Sequence, residues 1–158
     1  MSERDKPLNH AVTKQQTPLR DFIPVPYLAA TIAYCAFLYY LSSVSSFPVE
    51  PPFEHFDKVV HFCLYSGLSA VVAVGLQHAS HRYSVRMLII IPVAFSALYG
   101  MTDEIHQLFV PSRNFAIGDM IADAIGALAA ATLFLFFYRW KRSRGIKELK
   151  EKGSGLRT

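Results

Sequence analysis

Four stretches of the chain, 22–49, 59–81, 87–102 and 124–138, contain no Asp, Glu, Lys or Arg. Within them, runs such as AVVAVGL and TLFLFFY are apolar on every side, with no polar stripe at helical period. A helix of a soluble bundle keeps such a stripe for its solvated face, so these segments are built to lie in lipid or a fully apolar core. Crossing the hydrocarbon layer of a bilayer takes about 20 helical residues. The pattern therefore predicts an all-α polytopic membrane protein, a bundle of four transmembrane helices with spans at 27–47, 58–78, 86–108 and 118–139. A mostly polar segment, 1–26, precedes this membrane domain of 27–140, and a basic tail, 141–158, follows it. The leading segment lacks the short basic start of a cleavable signal peptide, so the first span is expected to stay in place.

Charge then orients the bundle. The net charge is +4, but the 16 basic residues are not gathered into a nucleic-acid-binding patch. Arg4, Lys6, Lys14 and Arg20 precede the first span, Arg82 and Arg86 lie in the middle loop, and eight more follow from Arg139 onward. The first and third loops hold only Lys58 and Arg113. The positive-inside rule thus predicts both termini in the cytoplasm and the first and third loops outside, with no nucleic-acid partner. Tyr138 and Trp140 suit an aromatic belt at the inner interface. The basic tail reads as a solvated topology signal, since Ile146, Leu149 and Leu156 make only a weak amphipathic face. Cys35 and Cys63 fall in different spans at different depths and read as small apolar side chains rather than a disulfide.

The polar residues carry more information than the apolar ones. To reach full length, the last three spans must each take in polar residues at one end. Counting about 20 residues from Met87 takes in Asp103 and Glu104; counting back as far from Tyr138 takes in Asp123 and Asp119. The same count back from His78 takes in His61 and leaves Asp57 just beyond. Spacings of three and four then group Asp57, His61 and Tyr65 on one helix face, Tyr99, Asp103, His106 and Gln107 on a second, and Asp119, Asp123 and Gly126 on a third. Snorkelling to water would account for one such helix end. Three matched stripes on one side, opposite ends rich in Lys and Arg, point to a shared pocket, because ionisable groups at membrane depth turn inward and pair. Glu104, about 100° round its helix from Asp103, is expected to face a neighbouring loop or Arg113. Pro48, Pro51, Pro52 and Pro111 end spans and stiffen the outer turns. Small residues such as Gly67, Ser69, Gly100, Gly126, Ala127 and Ala130 allow close helix approach and leave the oligomeric state open.

Three ordered motifs, DKVVHFCLYSGL (57–68), YGMTDEIHQLFVPSR (99–113) and GDMIADAIGAL (118–128), resemble the VanZ-like family of small membrane proteins. The resemblance covers the last three spans and implies Asp57, Lys58, His61, Asp103, Glu104, Gln107, Arg113, Asp119 and Asp123 as the family's polar set. Two positions depart from the family pattern: PSR stands where PGR is frequent, and GALAA lacks a second small glycine. The family takes its name from a member linked to low-level resistance to the glycopeptide teicoplanin. The resemblance thus implies a fold, a place in the bacterial inner membrane and a cell-envelope context.

Residues and resemblance together define the candidate site. The candidate catalytic residues are Asp57, His61, Asp103, Glu104, Gln107 and Asp119; Lys58, Tyr65, Tyr99, His106, Arg113 and Asp123 are candidate ligand contacts. His61 oriented by Asp57 suits a general base. Arg113, with Lys58, suits a clamp on phosphate or carboxylate. Asp103, Asp119 and Asp123 offer the hard oxygens that a divalent cation prefers. One expectation is an enzyme acting on a lipid head group or envelope precursor at the outer leaflet; the other is a non-catalytic binder of the same kind of molecule. A proton or cation pathway is disfavoured, because the inner half offers only Ser66, Ser69, Ser96 and Thr132 as its main polar groups. No H-E-x-x-H zinc signature is present.

Overall fold

The computed structural model describes residues 23–45, 52–79 and 83–154, with side chains through 146. Within these residues the chain forms four helices and no strands: α1 (Val25–Ser43), α2 (Phe56–Ala79), α3 (Met87–Gln107) and α4 (Ile117–Ser154). All four are long and apolar enough to cross a membrane, α4 through its Ile117–Ile146 portion. The expected N-terminal tail through 22, Pro48, Pro51, Arg82 and residues 155–158 lie outside the described residues.

The helix boundaries have local causes. Pro26 stands in the first turn of α1, where its missing N–H has no helical partner to lose. The same helix stops at Ser43, short of the expected 47, because Val44 turns to extended backbone (φ −78°, ψ 116°). The Val44 carbonyl then accepts a hydrogen bond from Arg113 Nε at 3.1 Å. Pro92 lies inside α3 and is buried there. In lipid such an interruption is tolerated where neighbouring helices cover it. α4 continues to Ser154, through most of the basic stretch read as a tail.

α2 is the central helix and touches each of the other three. Its Leu68, Ser69, Val72, Ala73 and Leu76 are buried, as are Ala127, Ala131 and Leu135 of α4. The α2–α4 seam is close: Ser66 Oγ donates to the Gly126 carbonyl at 2.9 Å, and Ser69 Oγ to the Ala127 carbonyl at 2.8 Å. Small residues and hydroxyl-to-backbone bonds hold helices together in lipid, where apolar burial gives no drive for association. α1 is peripheral. Only 11% of its span is buried against 39% for α2, and Ile32, Phe37 and Tyr40 face outward.

The turn from α3 into α4 is tight, with Val110 N donating to Gln107 O at 3.1 Å and Arg113 N to Val110 O at 3.2 Å. It places Ser112 at φ 65°, in the left-handed region that disfavours side chains. This is the loop position where glycine is frequent in the resembling family. Ser112→Gly is expected to raise unfolding stability in detergent by about 1 kcal/mol, the cost of a left-handed non-glycine residue less glycine's greater freedom when unfolded. Unchanged or lowered stability in a denaturant titration would show that the turn carries no such strain.

Candidate functional site

The end of α1, the start of α2, the end of α3 and the start of α4 meet at one end of the bundle. Lys58 Nζ lies 3.1 Å from Asp57 Oδ2 on its own helix and 2.9 Å from Asp119 Oδ1 on α4. One turn deeper, His61 Nδ1 donates to Asp123 Oδ1 at 3.0 Å. The Glu104 carboxylate on α3 accepts the Ala116 N–H at 2.8 Å, tying α3 to the segment that enters α4. Gln107 Nε2 donates to Asp103 Oδ2 at 3.3 Å along α3. Asp103, Glu104, Gln107, Asp119 and Asp123 are all buried.

Glycines make this convergence sterically feasible. A Cβ at Gly100 would come to 2.5 Å from Asp123 Oδ2, and one at Gly118 to 2.8 Å from Lys58 Cε. Bare backbone at these points lets the charged side chains pass between helices. A cavity of about 770 Å³ adjoins the cluster. Leu38 and Leu41 of α1 and Val60 and Leu64 of α2 supply apolar wall, while Asp57, His61, Asp103, Gln107 and Arg113 supply polar lining. Ser42 and Tyr65 also line it; the Ser42 hydroxyl is buried without a hydrogen-bond partner, and the Tyr65 hydroxyl faces the Asp103 carboxylate.

Several sequence expectations need correction. His61 is not oriented by Asp57: Asp57 bonds Lys58 at the start of α2, whereas His61 points across to α4 and takes Asp123. The carboxylate set expected to hold a cation was Asp103, Asp119 and Asp123. The atoms that gather are instead one ring nitrogen of His61 and one oxygen each of Glu104 and Asp119, all within 4.8 Å of one another. On α3 the inward stripe is Pro92, Ser96, Gly100 and Glu104 with Asp103 and Gln107, one residue round from the stripe begun at Tyr99. Tyr99 and His106 accordingly reach α1. Tyr99 donates to the Cys35 carbonyl at 2.7 Å, and His106 Nε2 lies 3.0 Å from Ser43 Oγ with its ring against Tyr39. Tyr65 lies between the two zones, its ring parallel to His61 at 6.1 Å and tilted to Tyr99 at 6.5 Å. Glu104 meets the loop side of its expectation through Ala116.

Leu38, Leu41 and Ser42 of α1 were absent from the predicted site. They carry no chemical signature, and only the i, i+3, i+4 spacing toward the end of α1 marks them as one face. Gly100 gave a stronger signal, standing three, four and seven residues before Asp103, Glu104 and Gln107.

No curated protein and no solved structure matches the chain. A family model described as VanZ/LLP1 matches residues 7–138, which takes in all three motifs and every residue of the cluster. With its four spanning-length helices, the chain is a multi-pass membrane protein and belongs to the VanZ/LLP1 family.

Proposed function

We propose that the protein binds an anionic membrane lipid or lipid-linked envelope precursor, its apolar part against α1 and α2 and its head group at the charged end of the bundle. The observation that carries this reading is the cavity of about 770 Å³, lined both by apolar residues of α1 and α2 and by Asp57, His61, Asp103, Gln107 and Arg113, within the size range of ligand pockets. Arg113 is suited to a phosphate or carboxylate. Asp57 and Asp103 accept hydrogen bonds, so the fitting head group also carries hydroxyl or amine donors. The unpartnered hydroxyl of Ser42 offers one further contact. The distribution of basic residues supports an outward-facing cavity in the bacterial inner membrane. An envelope-precursor ligand would accord with a role in glycopeptide resistance of the teicoplanin type. Against a transmembrane relay, Ser66 and Ser69 already donate to backbone carbonyls of α4.

The test is lipid retention. Protein purified in mild detergent should carry a near-stoichiometric phosphorylated lipid, detected by native mass spectrometry. Arg113→Gln should weaken its retention about tenfold, the value of one charge-assisted contact. Purified protein that carries no lipid and takes up none from phosphorylated lipid vesicles would overturn the reading.

Turnover of the bound head group is a second reading, favoured by the His61–Asp123 pair beside the cavity. A carboxylate behind an imidazole is the arrangement of an oriented general base. His61→Ala should then abolish release of phosphate from a phosphorylated envelope lipid while lipid retention stays near normal.

A further inference from the structure

Two carboxylate oxygens at this end of the bundle, Glu104 Oε1 and Asp123 Oδ2, are buried without a hydrogen-bond partner, on residues with 0% exposure. A buried anionic oxygen without a partner is costly, and such groups ordinarily pair or coordinate a metal. Asp103 and Asp119 add two more buried carboxylates. Lys58 answers one oxygen of Asp119 and one of Asp57, and Gln107 one of Asp103, leaving Asp123 to the His61 imidazole and Glu104 to the Ala116 N–H.

Geometry supplies the second half of the argument. A His61 ring nitrogen, a Glu104 oxygen and an Asp119 oxygen, from three different helices, lie within 4.8 Å of one another. A single ion between them would be within reach of all three after small side-chain movements, since metal–nitrogen and metal–oxygen bonds are about 2.0–2.2 Å long. Asp123 accepts from His61 Nδ1, which leaves the lone pair of a neutral imidazole on Nε2. A carboxylate behind a ligating histidine is the usual support of metal-bound imidazole. One nitrogen with two carboxylates selects a first-row divalent ion over Mg²⁺ or Ca²⁺, which favour all-oxygen sites.

We propose that His61, Glu104 and Asp119 bind one divalent first-row metal ion of the Zn²⁺ or Mn²⁺ kind, with Asp123 as the positioning residue for His61. The site does not depend on the lipid reading, although an ion there would offset the negative charge close to where a phosphate would lie. A metal-bound His61 has no lone pair left for proton abstraction, so the ion and the general-base reading exclude each other.

Untagged full-length protein in detergent, stripped with chelator and dialysed, should take up one equivalent of Zn²⁺ or Mn²⁺ by calorimetry and elemental analysis. Co²⁺ should bind with visible ligand-field absorption that Zn²⁺ displaces. Glu104→Gln and His61→Gln should each lose this binding at least tenfold with helical circular dichroism unchanged. Asp123→Asn keeps all three ligands and should weaken metal binding about 10- to 100-fold, the usual effect of removing a histidine's supporting carboxylate; it serves if either ligand variant does not fold. Absence of stoichiometric uptake, uptake of Mg²⁺ alone, or unchanged affinity in the folded variants would overturn the proposal. Lipid content measured on the same preparations separates the two readings. Metal without lipid sinks only the proposed function, and lipid without metal sinks only the metal site.

Discussion

Gly126→Leu is expected to prevent stable assembly of the bundle. A Cβ at Gly126 would collide with the backbone carbonyl oxygen of Phe62 and reach 2.9 Å from Ser66 Oγ. The first obstacle is backbone, so no rotamer change relieves it; α2 and α4 would have to separate along their most extensive contact. That separation would also break the Ser66–Gly126 and Ser69–Ala127 hydrogen bonds. Overpacking alone costs typically about 1–3 kcal/mol, and two interhelical bonds at about 0.6 kcal/mol each add to it, giving about 3 kcal/mol. Cellular accumulation and thermal unfolding in detergent both report this loss. Gly126→Ala should show a smaller loss in the same direction, and normal accumulation of the leucine variant would mean that this seam does not hold the bundle.

Lys58→Met is expected to cost about 2 kcal/mol, because it strands Asp119. The Asp119 side chain is only 7% exposed and its Oδ1 lies 2.9 Å from Lys58 Nζ. Breaking a fully buried pair by removing one partner costs about 3–5 kcal/mol. The lower figure follows from the 33% exposure of the Lys58 side chain, which lets water screen part of the interaction. Methionine keeps the apolar stem that packs near Gly118, so the measurement isolates the charge. Asp119→Asn in the same chain should restore most of the loss, which a double-mutant cycle in denaturant would measure. If Lys58→Met unfolds at the wild-type denaturant concentration, the pair contributes nothing and Asp119 is held by other means. Under the metal assignment, saturating Zn²⁺ or Mn²⁺ should shrink the penalty, since the ion would take over part of the charge on Asp119.

The four helices were legible because lipid imposes a simple rule: a span must be long, apolar and nearly free of charge. The convergence of polar ends followed from the same rule, since Asp103, Glu104, Asp119 and Asp123 could be accommodated at that depth only by turning inward. What periodicity could not supply was the zero of rotation. Starting the α3 stripe at Tyr99 set it one residue away from the buried stripe through Gly100, and so put Tyr99 and His106 in a cluster where α1 takes both. A glycine three and four residues before paired carboxylates marks the line of close approach better than a tyrosine, because the backbone itself is what the neighbouring helix reaches. Partner choice was also hidden. Asp57 and His61 share a face by spacing, yet the crossing of α2 and α4 brings Asp123 to the imidazole. Such a crossing depends on packing along the whole seam and leaves no mark at the two residues it joins.

α4 has a mechanical consequence. Its 38 residues, at 1.5 Å each, make a rod about 57 Å long, nearly twice the roughly 30 Å of bilayer hydrocarbon. No proline interrupts it; Gly126, the glycine between Asp119 and Arg144, is packed against Phe62 and Ser66 of α2, and Gly145 lies beyond Trp140, whose ring lies 4.3 Å from the guanidinium of Arg144. From Asp119 to Arg144 the helix is therefore one continuous lever. An axial shift of about 1 Å imposed on the basic end, the scale of ordinary helix displacements, would be delivered to Asp119 and Asp123 with little loss.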